Sequence, residues 1–518
     1  MNAQTFKVPS RQVAVMWSLV FSYGTNALVI VRTLCLVPLY LQHISLKEYG
    51  AWLATGGVLS FLTVMDFGLM GVLAQQCAAA YGAGDRDKLG TIIGTGMTVS
   101  AVLSFLAMAV AAAAAPILPR AMGLSGEVAS RISFCFVLAG IANGLSLLAF
   151  ALSGVMKSLQ RTFATGLVLF LAEIVNIALT LVLLLKGWGL YAIACGLFGR
   201  GIFVLVGNLG WCFLLFLREN LPWRLWVWEE AKAMWRMSVF TFAGRIASGL
   251  MAGADGFLIG ALIGPETAGI YSLTTRAAVI VLSLAGSFAT ALMPSLAHLK
   301  AERGLDRFKE ILIVCLKIQT TIVTIGMAGV IVFNQAFVSL WVGRHLFAGQ
   351  WINALFCAWG VGYAVTGVNW NALYALGDMA NLAKFSWVET ILRLCVSVFL
   401  IWSVGVIGAP VAALLSQAVG PWLLLSRSLG RRISLKTIEL RRLGLGLAGR
   451  LLLPISVAMA LFWASGMARD WLAFVNQVVS YLLLITGATL LMDRRLVTSV
   501  IAPFRGKTSA IATCAGTK

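Results

Sequence analysis

The sequence predicts an all-α polytopic membrane protein, and three observations carry that prediction. Of its 518 residues 60% are hydrophobic and only 11% charged, with a mean hydropathy of +0.93. A soluble domain of this size cannot cover its surface with so few polar groups. The apolar runs are about twenty residues or longer, the length that crosses a bilayer as helix; strands of a membrane barrel would alternate over about ten. Finally, Lys and Arg gather on one side of those runs, as cytoplasmic loops require.

About fourteen spans follow, over residues 13–41, 51–79, 91–118, 132–156, 163–185, 188–217, 237–263, 268–296, 311–341, 351–376, 385–403, 406–426, 448–467 and 471–491. With the N-terminus inside, 27 of the 39 Lys and Arg fall on the cytoplasmic side, 6 in the opposite loops and 6 within spans. Both termini are therefore expected in the cytoplasm. The same asymmetry accounts for the net charge of +20, as topology with some attraction to anionic lipid, so nucleic acid is not an expected partner. Lys7 and Arg11 lead into a full-length span, unlike the short apolar region of a cleavable signal. The nine cysteines form no CxxC and read as small buried hydrophobes, and His43, His298 and His345 are isolated. No metal site or cofactor is expected.

The chain repeats itself. "LKEYGAW" (46–52) opens span 2 and "PETAGIYS" (265–272) opens span 8, matching Gly50 to Gly269; "GAGDRDKL" (82–89) answers "AERGLDRFK" (301–309). Glu173 precedes Gly189 by sixteen residues, as Glu389 precedes Gly405, and all offsets lie between 216 and 220. Six spans separate equivalent points, so the halves share one orientation and are expected to be related by a pseudo-two-fold axis along the membrane normal. The organisation expected is a six-helix bundle over 1–217, an amphipathic cytoplasmic linker over 218–236 and a second six-helix bundle over 237–427. A basic loop at 428–447, two further helices within 448–491 and a cytoplasmic tail at 492–518 complete it. Gly249, Gly253, Gly256, Gly260 and Gly264 in span 7 allow close backbone approach, and Pro38, Pro410 and Pro421 invite kinks.

Arg32 followed by "PLYL", then "KEYGAW", "DFGL" (66–69) and "GAGDRDKL" resembles the polysaccharide-transporter family, the O-antigen and exopolysaccharide flippases of the multidrug/oligosaccharidyl-lipid/polysaccharide (MOP) superfamily. The resemblance is strongest over 11–90. It implies two six-helix bundles around a central cavity, working by alternating access on a polyprenyl-diphosphate-linked oligosaccharide in the bacterial inner membrane. Polysaccharide polymerase or export machinery would be the protein partners. The related lipid II flippases are similar in carrying cavity arginines.

Ten charges lie inside spans: Arg32, Arg200, Arg245, Arg276, Lys317, Arg393, Asp66, Glu173, Asp255 and Glu389. Such groups face protein or a watered cavity. Lys317 sits near a span end, where its stem can snorkel, and Glu389 with Arg393 has the spacing of a local ion pair. Arg32, Arg245, Arg276 and Arg200 are the candidate substrate cations, because guanidinium is the matched, permanently charged donor for a diphosphate. Arg32 could alternatively pair with Asp66, and Arg245 or Arg276 with Asp255. Asp66, Asp255 and Glu173 are the candidates for coupling or charge balance. Trp52, Trp188, Trp341 and Trp351 read as interfacial anchors.

Two rivals remain. A cation-coupled multidrug exporter would favour acids and aromatics in its cavity. A membrane polymerase or glycosyltransferase would need a sizeable catalytic loop or soluble domain, and the longest gap between spans is about twenty residues. "RGKT" (505–508) is no phosphate loop, since Ile501 stands where its first glycine belongs. No catalytic residue is expected.

Overall fold

The computed structural model describes residues 11–66, 68–219, 221, 226–376, 378–432 and 453–492, and among these all regular structure is helical. Expectations for Phe67, for 222–225 of the linker, for 433–447 of the basic loop and for the tail beyond 492 lie outside the described residues. In chain order the helices are α1 (Arg11–His43), α2 (Leu46–Thr63), α3 (Leu69–Gly82), α4 (Arg86–Ala114), α5 (Ile117–Ala121) and α6 (Gly126–Ser158). There follow α7 (Thr162–Leu185), α8 (Leu190–Glu219), α9 (Trp228–Leu262), α10 (Pro265–Thr274), α11 (Arg276–Trp341) and α12 (Gln350–Ala375). The last are α13 (Met379–Val404), α14 (Gly408–Gln417), α15 (Ser426–Arg432), α16 (Leu453–Ser465) and α17 (Trp471–Met492).

Among the described residues nine helices are long and apolar enough to cross a membrane, or eleven when each of two bent pairs counts as one span. The difference from fourteen has local causes. Span 2 is broken into α2 and α3 by a 3-10 turn at Val64–Asp66. Spans 8 and 9 are carried by α10 and the single 66-residue α11, which contains the sequence expected as a loop at 301–309. Within α11, Gln319 Nε2 donates to Ala285 O at 3.1 Å. A straight helix would hold those residues about 50 Å apart at 1.5 Å per residue. The two ends of α11 therefore run back alongside each other, as two separate crossings would. Span 13 is the short α16.

Two compact units divide the chain: Met1–Ser272 with Thr390–Ala409, and Leu273–Glu389 with Pro410–Lys518. In the first, Leu73 and Cys77 of α3 pack with Ile92 and Ile93 of α4 and with Leu152 and Met156 of α6. Small residues bring backbones together: a β-carbon on Gly201 of α8 would meet the Ala142 backbone of α6. On α9, one on Gly253 would meet the backbone of Gly57 in α2. Of the other span 7 glycines, Gly260 lies against Ala54, whereas Gly264 has open space and a φ of +143°. In the second unit, Leu312 and Leu316 of α11 pack with Val368 and Ala372 of α12. Tyr481 of α17 donates from its hydroxyl to Ile325 O at 2.8 Å, attaching the last helices to α11.

The prolines behave differently from one another. Helix α1 runs through Pro38 without a break. Pro410 stands in the first turn of α14, where amide hydrogens have no helical partner anyway. Pro421 is absorbed in a π-helical segment, Ala418–Leu425, whose wider turn accommodates the missing donor. The aromatic anchors need correction too. Trp188 and Trp351 are 51% and 77% exposed, but Trp52 and Trp341 are buried at 7%, Trp341 stacked on Phe337 at 5.2 Å. These two serve packing rather than an interface.

Candidate functional site

Beyond its first turn, which holds Thr162 and Thr165, helix α7 is apolar except for a stripe of Glu173, Asn176 and Thr180, spaced so that all three share one face. That face is buried: Glu173, Asn176 and Thr180 are 1–2% exposed. It meets α1 and α8. Arg32 Nη1 of α1 lies 2.7 Å from Glu173 Oε1, and Arg200 Nε of α8 donates to Glu173 Oε2 at 2.8 Å. With its amide oriented so that the oxygen faces α1, Asn176 also accepts from Arg32 and donates to Gly196 O at 3.3 Å. The approach depends on Gly196, whose missing β-carbon would collide with Thr180 Oγ1 and the Asn176 side-chain amide. One carboxylate thus balances two guanidiniums, whose side chains keep 25% and 24% exposure. The cluster carries one surplus positive charge.

A second ion pair stands where α2 breaks. Arg245 Nη1 of α9 lies 2.7 Å from both Asp66 oxygens, and Asp66 Oδ1 accepts from Gly68 N at 3.1 Å. The Arg245 side chain is 43% exposed. A third cluster joins α9, α10 and α13: Arg393 Nη2 donates to Asp255 Oδ2 at 2.7 Å, and the Tyr271 hydroxyl donates to the same oxygen at 3.4 Å. Beside it, Thr390 Oγ1 of α13 donates to Ala247 O of α9 at 3.0 Å. Here the guanidinium is 3% exposed, so the charge is enclosed.

Residues 44–354, well over half of the chain, match the family described as "polysaccharide biosynthesis protein". This chain belongs to that family of polysaccharide biosynthesis proteins. A probable low-salt glycan biosynthesis flippase of Haloferax volcanii is 19% identical over 191 residues, 37% of this chain and 40% of that protein. The match therefore spans less than half the length of that relative. The lipid II flippase MurJ in an inward closed conformation has the same fold, with a TM-score of 0.70 at 12% identity, covering 93% of this chain and all of that one (100%). An inward-facing multidrug resistance MATE transporter follows at a TM-score of 0.63 and 13% identity, over 80% and 94% of the two chains. A MOP superfamily transporter from Pyrococcus furiosus gives 0.60 at 16%, over 81% and 95%.

The candidate residues fall into separate places in the chain. Arg32 and Arg200 come together on Glu173, and Arg245 sits on Asp66. Arg276 belongs to the other unit, half-buried at the start of α11, where that helix bends by 52° from α10. The internal pairings weighed from sequence are corrected: Arg32 meets Glu173 rather than Asp66, and Asp255 meets Arg393 rather than Arg245 or Arg276. Arg393 reaches across to α9, beyond the local partner its spacing suggested. Asn176 was overlooked; the Glu173, Asn176, Thr180 stripe on a helix that is apolar beyond its first turn is the signal that marks it.

Proposed function

We propose that this protein is a transporter of the MOP superfamily that moves polyprenyl-diphosphate-linked oligosaccharide repeat units, precursors of surface polysaccharide, across the bacterial inner membrane. It does so by alternating access between two six-helix repeats, residues 1–217 and 237–427, with both termini cytoplasmic. The observation that carries the reading is the pair of half-buried guanidiniums sharing Glu173. A diphosphate offers several anionic oxygens, and two planar donors with one carboxylate between them leave net charge for it to neutralise. Arg245, 43% exposed, is a further cation in the same unit, and the half-buried Arg276 is the candidate of the other unit. The family's description and the Haloferax relative, a probable glycan biosynthesis flippase, support a glycan-bearing passenger.

Two features support the repeat. Gly50 and Gly269, equivalent by sequence, lie against each other, as residues flanking a two-fold axis do. Gly189 and Gly405, also equivalent, both take positive φ, +53° and +74°, in the turns before α8 and α14. Asp66, Glu173 and Asp255 each hold an arginine, which favours charge balance as their role. A lipid II flippase would share the diphosphate chemistry and differ in the sugar. The multidrug-exporter alternative is less well served, because in the Glu173 and Asp66 pairs the more exposed member is the cation.

The test is to make Arg32→Ala and Arg200→Ala in cells that depend on the transporter. Both variants are expected in the membrane at normal level, with lipid-linked repeat units accumulating on the cytoplasmic leaflet. Normal surface polysaccharide from both would overturn the phosphate-holding role. In proteoliposomes the wild type is expected to move a labelled lipid-linked oligosaccharide without nucleotide.

A further inference from the structure

The motif at 66–69 has a structural meaning that substrate binding alone does not use. Helix α2 does not run into α3. Val64–Asp66 tighten into a 3-10 turn, and Gly68 takes φ 72° and ψ 6°, a left-handed conformation that side-chain-bearing residues avoid. Asp66 works on both sides of this break. Its Oδ1 accepts the Gly68 amide at 3.1 Å, and both of its oxygens lie 2.7 Å from Arg245 Nη1 on α9. The same carboxylate therefore shapes the turn and clamps a neighbouring helix to it.

The two partners are unequally placed. Arg245 is 43% exposed and Asp66 14%. A guanidinium has five donors on three nitrogens. Here one nitrogen makes both bonds to Asp66, and among the described residues no hydrogen bond from Nε or Nη2 of Arg245 accompanies them. The Asp255–Arg393 pair is the opposite case: Arg393 is 3% exposed, and opening that pair would strand a buried charge. Opening Asp66–Arg245 leaves Asp66 with the Gly68 amide and some solvent, and leaves Arg245 facing outward. A multiply charged phosphate group is a stronger partner for that arginine than one carboxylate.

We propose that Asp66 is a positioning residue that holds Arg245 in a displaceable clamp: an anionic headgroup captured by Arg245 takes it from Asp66 and releases α9 from the break between α2 and α3. This rests on the lipid-diphosphate reading above and adds how binding becomes movement. The linkage runs both ways. If Asp66 competes with the ligand, removing its charge tightens ligand binding; a merely structural residue would weaken it.

The experiment places spin labels at Ala79 of α3 and Lys232 of α9, both exposed, through a non-canonical amino acid so that the native cysteines stay. Distances are measured by double electron–electron resonance, and affinities separately, with farnesyl diphosphate, farnesol and inorganic pyrophosphate. Farnesyl diphosphate is expected to shift wild type to longer separations, and farnesol is expected to leave it unmoved. A response to inorganic pyrophosphate equal to that of farnesyl diphosphate would assign the clamp to free phosphate rather than a lipid headgroup, overturning the lipid part. Asp66→Asn keeps the oxygen that caps Gly68 and loses the charge; it is expected to show the longer separation without ligand and to bind farnesyl diphosphate several-fold more tightly. Arg245→Gln, which leaves the turn untouched, is expected to show the longer separation and no response to ligand. Wild-type separations in both variants, or weaker binding by Asp66→Asn, would overturn the clamp. Shifted variants together with a wild type that neither binds nor responds to farnesyl diphosphate would instead overturn the lipid-diphosphate reading.

Discussion

The Arg32–Glu173–Arg200 cluster and the Asp255–Arg393–Tyr271 cluster are built from the same parts. Each sets a carboxylate on one apolar helix against guanidinium from another, α1 and α8 onto α7 in one case, α13 onto α9 in the other. They differ in stoichiometry and in access. The first has two arginines for one acid, each about a quarter exposed (25% and 24%); the second has an arginine 3% exposed on an acid 11% exposed. A buried pair contributes little net stability, yet removing one partner is costly, because the other charge remains in the apolar interior. The second cluster therefore behaves as a fastening between helices. The first has unspent charge within reach of a ligand. An arginine inside a span is thus no functional signal by itself; its neighbours and its exposure decide which of the two uses it has.

The sharpest way to break this comparison is to remove one cation from each cluster. Arg393→Leu leaves Asp255 without its cation and is expected to cost about 3–5 kcal/mol, lowering the thermal midpoint and the yield of folded protein. Arg200→Leu leaves Arg32 on Glu173 and is expected to cost well under that; equal losses would erase the distinction. Removing a whole pair reverses the sign. Asp255→Leu combined with Arg393→Met is expected to recover most of the stability lost by Arg393→Leu, about 2 kcal/mol or more, since apolar replacement of a buried pair is commonly neutral or better.

A smaller effect is expected at Gly196. Its β-carbon would press on Thr180 and Asn176, so Gly196→Ala is expected to cost about 1–3 kcal/mol and to reduce transport further by shifting Asn176 from Arg32. Gly210→Ala on the same helix, with nothing within 4 Å, is the control and should gain up to about 1 kcal/mol. Thermal midpoints and vesicle transport rates of the two variants check this. Smallest is Tyr271→Phe. Loss of its 3.4 Å bond to Asp255 is expected to cost about 0.5–1 kcal/mol in thermal stability, with transport unchanged.

The polytopic helical class was legible from composition and run length, and the family from the motifs between Arg32 and Leu89. Every candidate charge was legible as well, because an ionisable residue stands out among Leu, Val and Ala. Their pairing was not. Arg32 and Glu173 are far apart in sequence, and periodicity along one helix says nothing about which helix faces it. For the same reason Trp52 and Trp341 read as anchors from their place near span ends, although their rings are turned into protein. The broken and folded-back spans, α2 with α3 and the two ends of α11, escape a count of apolar residues because a tight turn and a helix can have the same hydropathy.

The glycine contacts between α2, α9 and α10 have a practical consequence. At Gly57 and Gly253 the two backbones meet with nothing between them, and a β-carbon on Gly50 would run into the Pro265 carbonyl. In a saturation library sorted for protein level in the membrane those three positions should therefore appear as blank columns, while the arginine columns empty only when the same library is selected for transport. One screen can then separate loss of assembly from loss of cargo, using the smallest residue in the chain as its internal standard.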